Sequence, residues 1–147
     1  MNLYTIGFTQ KNAQEFFSLL KYNKIELLID IRLNNKSQLA GFTKDPDLKF
    51  FLDQILKAQY VHDIIFAPTK ELLDNYKKGL ISWEGYEKEY NTMISTRQIE
   101  KVFNSIVQNK FQNICLLCSE ATPECCHRRL LAEYLQRLNS EINIIHI

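Results

Sequence analysis

Two runs in this chain, Ile25-Glu26-Leu27-Leu28-Ile29-Asp30-Ile31 and Ile114-Cys115-Leu116-Leu117-Cys118, are apolar with little alternation between odd and even positions. A strand with one face in water alternates; a strand covered by helices on both faces does not. Each run gives way to a polar loop and then to helical spacing. Leu48, Phe51, Leu52, Ile55 and Leu56 follow the first at i, i+3, i+4, i+7 and i+8. Leu130, Leu131, Tyr134, Leu135 and Leu138 follow the second. Strands that alternate with helices in this way imply an α/β sheet with right-handed crossovers. The chain therefore reads as a single three-layer Rossmann-like α/β domain over residues 1–147. Its mostly parallel sheet of about five strands is flanked by helices, with a helical insertion before the fourth strand.

The remaining elements fit that plan. Residues 3–6 form a short strand ending at Gly7, and Asn12 with Glu15 makes a capping box for the first helix. Asp45-Pro46 reads as a cap and first helical residue. Residues 59–62 make the third strand, and residues 63–68 lead to a helix capped by Thr69. Further helices start near Ser82 and near Ser95, the latter with Gln98 completing a capping box before Ile99, Val102, Phe103, Ile106 and Val107. Residues 142–147 close the chain as a strand.

Size and charge exclude several classes. A chain of 147 residues, 46% hydrophobic, buries roughly two thirds of its unfolded surface as one domain. A net charge of +1 argues against a whole-surface field for nucleic acid or an anionic membrane, leaving room only for a local basic patch. No run approaches the ~18 apolar residues of a membrane span, and the N-terminus lacks the regions of a signal peptide. A cytoplasmic location is expected, with the four cysteines reduced. Oligomeric state has no signature here.

In a parallel sheet the loops after the C-terminal strand ends share one edge, where ligands bind. Gly7, Thr9, Asp30, Arg32, His62, Cys118, Glu120, Cys126, His127 and Arg128 are all expected there. Thr122-Pro123 reads as the cap of the last helix, which puts Cys125, Cys126 and His127 in its first turn. Free amides and the helix dipole there favour an anion or a thiolate. On a helix, adjacent cysteines diverge, so at most one of Cys125 and Cys126 faces the cleft. Plainer readings stand beside these. Cys126 can be a small core residue, and the arginines can pair with Glu120 and Glu124. Asp30 and Arg32 can pair with each other, and His62 can hold a structural hydrogen bond. Trp83, Tyr86, Tyr90 and Met93 read as a packing stripe. Nine residues separate Cys118 from Arg128, too many for a phosphatase loop. Cys118, Cys126 and His127 offer zinc-type ligands without a Cys-x-x-Cys knuckle or a second pair, so no metal or other cofactor is expected.

Four blocks carry a wider likeness: Tyr4-Thr5-Ile6-Gly7, Ile29-Asp30-Ile31-Arg32, Leu116-Leu117-Cys118-Ser119-Glu120 and Cys126-His127-Arg128-Arg129-Leu130 with its continuation to Leu135. Together they resemble the domain of unknown function 488 family. The resemblance implies a small cytoplasmic α/β domain of prokaryotes with no settled activity and a link to nucleic-acid processing. It also implies Asp30, Arg32, Cys118, Glu120, Cys126, His127 and Arg128 as characteristic positions. Many relatives have histidine where this chain has Phe8 and proline where it has Asn34-Asn35. His62 or His127 would then serve as acid or base. The expectation is an enzyme acting on a phosphate-bearing nucleotide or nucleic-acid substrate. Cys118, Glu120, Cys126 and His127 would be catalytic, while Asp30, Arg32, Arg128, Gly7 and Thr9 bind substrate. The alternative is a phosphate-ligand or nucleic-acid binding module with a structural ion-pair network.

Overall fold

A computed structural model describes residues 1–147, apart from the side chain of Leu39. Five strands, β1 (Asn2–Gly7), β2 (Leu27–Asp30), β3 (Gln59–His62), β4 (Asn113–Cys118) and β5 (Asn143–His146), form one sheet in the order β3-β2-β4-β1-β5. Every pairing is parallel. β2 and β4 are buried on both faces, as their unbroken apolar runs require.

Each face of the sheet has its own core. Tyr4, Ile6, Leu28, Cys115 and Leu117 pack with Phe16, Phe17 and Leu20 of α1 (Ala13–Tyr22) and Leu48 and Leu52 of α2 (Asp47–Leu56). Leu3, Leu27, Ile29, Ile114 and Leu116 pack on the other side. Their partners come from α3 (Lys70–Lys77), α4 (Trp83–Thr96), α5 (Ile99–Val107) and α6 (His127–Leu138). This is the three-layer, Rossmann-like arrangement, with α3 to α5 as the insertion before β4. No helix is long and apolar enough to cross a membrane among the described residues.

Caps at Asn12, Thr69 and Ser82 form as the sequence predicts, the first as a full capping box. Three expected helix starts move. Pro46 occupies the cap position of α2, after a cis Asp45–Pro46 bond, and supplies no side-chain cap. Ser95 caps nothing, because α4 runs through it to Thr96 and α5 starts after Gln98 in a left-handed conformation. The break falls there because Arg97, closing α4, donates to the carbonyls of Ile65 (2.8 Å) and Ala67 (2.7 Å). α6 starts at His127 and not after Thr122, since Cys126 N–H closes a separate turn onto the Pro123 carbonyl at 3.2 Å.

Candidate functional site

Parallel pairing brings the strand ends level: Gly7 sits beside Cys118, and Asp30 beside both Leu117 and His62. A cleft of about 850 Å³ opens above them. Its lining includes Thr9, Arg32, Cys118, Glu120, Cys126 and His127. Asp30, Gly7 and Arg128 lie beneath the lining, and His62 is turned aside, its Nε2 2.8 Å from the Arg32 carbonyl. Both Cys125 and Cys126 reach the cleft, contrary to the one-face expectation. Cys126 is extended (φ −137°, ψ 136°) and precedes the helix, so the geometry of a helix face does not apply.

Cys118 ends β4 at the cleft floor and is 4% exposed. The Cys126 thiol, whose sulfur lies within 4.8 Å, is the main influence holding the Cys118 pKa below the ordinary value despite burial. The amides of Ser119 and Glu120 and the charge of Arg128 act in the same direction. Cys126 is the reciprocal case: its interaction with Cys118, its burial and the neighbouring sulfur's charge push its pKa well up. The pair therefore gives up one proton readily and keeps the other. Cys115, inside β4, has only burial acting on it as the main influence and is pushed up, as expected of a core thiol.

His127 sits 3.7 Å from the Cys118 sulfur through both ring nitrogens, with Nε2 3.1 Å from the Ile31 carbonyl. A carbonyl only accepts, so Nε2 is the donor in that bond. Equal distances place the sulfur against the ring and not along either lone pair. The ligand atoms of Cys118, Cys126 and His127 lie within 4.8 Å of one another. A tetrahedral zinc ligand would turn one nitrogen towards the sulfurs and the other away. The imidazole would have to rotate before the three could share an ion.

Arg128 is 1% exposed and reaches under the loop that follows β4, donating to the Glu120 carbonyl at 2.6 Å and the Ala121 carbonyl at 3.4 Å. Among the described residues no carboxylate pairs with it, and its Nε is buried without a partner. Glu120 thus meets Arg128 through its backbone, and its side chain stays exposed. Gly7 makes this possible: a Cβ there would lie 1.6 Å from the Glu120 oxygen. Thr9 ties the same loop to the β1 side, its hydroxyl donating to the Ser119 carbonyl at 2.5 Å.

Arg32 is largely engaged by the protein. Its Nε and Nη2 hold the two Asp30 oxygens at 2.8 and 2.6 Å, and Nη1 and Nη2 also donate to the Thr43 hydroxyl and carbonyl at 3.2 and 2.7 Å. The Tyr60 hydroxyl donates a further hydrogen bond to Asp30 at 2.8 Å. Lys11 and Lys77 on the cleft wall bring further positive charge to a ligand, and no motif in the chain marks either position. The wall also carries Phe8, Phe42, Tyr76, Trp83 and Tyr86. Phe8 packs under the Arg32 guanidinium at 5.3 Å. The spacing of Trp83 and Tyr86 predicts an aromatic stripe, and the tertiary structure adds Tyr76 and turns one edge of it to the cleft.

Fold and cleft define a Rossmann-like α/β protein with a cysteine-centred pocket at the C-terminal edge of its sheet. The chain belongs to the family described as domain of unknown function DUF488, which matches residues 12–135. No curated protein and no solved structure matches it.

Proposed function

We propose that the cleft is the active site of a cysteine-dependent enzyme acting on a small phosphate-bearing substrate of nucleotide form. The observation that carries this is Cys118: a thiol of lowered pKa at the floor of a cleft of about 850 Å³, beside Cys126 and His127. The aromatic wall suits a planar base, and Lys11 and Lys77 suit a phosphate. Cys118 attacks the electrophilic centre as the bond to the leaving group breaks and that group takes a proton, while Cys126 keeps its own proton. Water assisted by the exposed Glu120 carboxylate at the rim then breaks the bond to sulfur and frees Cys118. His127 acts as acid or base after its ring tilts.

The rival is a binding module in which the same cleft holds the ligand and no chemistry follows. It is favoured by the engagement of Arg32 with Asp30, which holds that guanidinium on the protein. Turnover separates the two: a Cys118→Ser protein that binds nucleotide but has lost all product formation supports the enzyme, and a wild type that binds nucleotide without turnover supports the module. Iodoacetamide tests the thiolate. Cys125 is exposed and Cys118 buried, so accessibility alone makes Cys125 react first at neutral pH. Under the proposal Cys118 reacts faster, and AMP, GMP, CMP or UMP slows it. Preferential labelling of Cys125, with no protection of Cys118 by any nucleotide, defeats the proposal.

A further inference from the structure

We propose that Cys118 and Cys126 are a redox-active pair: a hydroperoxide oxidises Cys118, and Cys126 closes a disulfide onto it. The inference shares the Cys118 thiolate with the proposed function but needs none of its substrate. Of the four thiols, Cys118 and Cys126 are both buried at the cleft with their sulfurs within 4.8 Å of each other. Cys115 points to the opposite core, among Leu28 and Leu117. Cys125 is exposed on the rim beside Tyr76. The Cys126 and Cys118 sulfurs lie within 4.8 Å of each other, and both residues line a cleft that admits a small peroxide.

The backbone permits the closure. Cys118 is fixed in β4, whereas Cys126 lies between the Pro123 turn and α6 and makes no side-chain cap. Turn residues can shift to bring the sulfurs to the bond length of about 2.05 Å. The Cys118 thiolate attacks the terminal oxygen of R–O–OH; an S–O bond forms, the O–O bond breaks, and the alkoxide leaves and takes a proton. Cys118 is then a neutral sulfenic acid. The charge that suppressed ionisation of Cys126 is gone, so its sulfur attacks Cys118. The S–S bond forms, the S–O bond breaks, and hydroxide leaves with the Cys126 proton as water. Two electrons pass from the dithiol to the peroxide, and a small dithiol such as dithiothreitol returns them.

The test treats the full chain with one equivalent of hydrogen peroxide, blocks remaining thiols, cleaves after glutamate and reads the masses. Cleavage at Glu120 and Glu124 separates Cys118 from Cys126. The expected result is loss of two of the four thiols, a linked pair of fragments joined through Cys118 and Cys126, and reversal by dithiothreitol. The link persists in Cys125→Ser. In Cys126→Ala or Cys126→Ser, dimedone traps Cys118 while the wild type gives no adduct. Four unreacted thiols, sulfinic acid on Cys118 beside a free Cys126, or a disulfide only between chains through Cys125 would each overturn the inference. Fast iodoacetamide labelling of Cys118 without the disulfide overturns this inference and leaves the proposed function standing.

Discussion

At the scale of single residues, a buried arginine without a carboxylate explains more of the site than the cysteines do by themselves. Arg128 fixes the Glu120 and Ala121 carbonyls, which aims the Ser119 and Glu120 amides at the Cys118 sulfur, and adds its charge from below. Arg128→Ala is expected to destabilise the fold by about 2–3 kcal/mol, the range for hydrogen bonds from a charged group, and to raise the pH midpoint of Cys118 alkylation. The sign follows from the shift. A lowered thiol pKa keeps Cys118 ionised below the ordinary thiol range, so its alkylation profile lies on the acid side of a peptide cysteine's. Removing a cation moves that profile back up; rates measured from pH 5 to 10 check it. Gly7→Ala drives a Cβ into backbone and should cost about 3 kcal/mol. Asp30→Ala should cost about 3–5 kcal/mol, because Arg32 is left charged and buried. Denaturant titration measures all three. An Asp30→Ala protein as stable as wild type would refute the structural role given to that pair.

Elements divide into those whose ends are set by nearby residues and those whose ends are set from afar. Asn12 and Glu15 close α1 through bonds three residues apart, so the start of that helix was legible in the sequence. Ser95 and Gln98 have the same spacing but lose to Arg97, whose carbonyl partners are some thirty positions away. The two sites make a controlled comparison. Asn12→Ala is expected to cost about 1 kcal/mol, whereas Ser95→Ala should stay within about 0.5 kcal/mol, as for an exposed surface position. A loss at Ser95 equal to that at Asn12 would mean that the cap forms after all. The start of α6 matters most for chemistry. Because the helix begins at His127, Cys125 and Cys126 stand in a turn and both reach the cleft.

Across the whole molecule, the sheet order places β4 between β2 and β1, and the cleft gathers loops from several strands with the α3–α4 insertion as a wall. A nucleotide that fits should stabilise the protein by mass action, by about 2.7 kcal/mol at a hundredfold excess over Kd. Thermal shift with AMP and with adenosine tests the phosphate contribution. A shift for AMP that exceeds the shift for adenosine, and that shrinks in Lys11→Ala with Lys77→Ala, is the expected pattern. Equal shifts for both ligands would remove the phosphate from the reading.

By itself the sequence determined the α/β class, the two-faced burial of β2 and β4, the strand ends that share one edge, and the caps at Asn12, Thr69 and Ser82. All of these follow from local periodicity or from residues a few positions apart. It also named Cys118, Cys126 and His127 as neighbours in prospect. Only the tertiary structure decided what their neighbours do. Arg32 is engaged with Asp30 and Thr43, and Arg128 with two carbonyls, while lysines and aromatic rings from α3, α4 and the loop after β1 face the cleft. The physical reason is that charge type is written in the chain, but whether a guanidinium meets a ligand or a buried partner depends on contacts between distant segments.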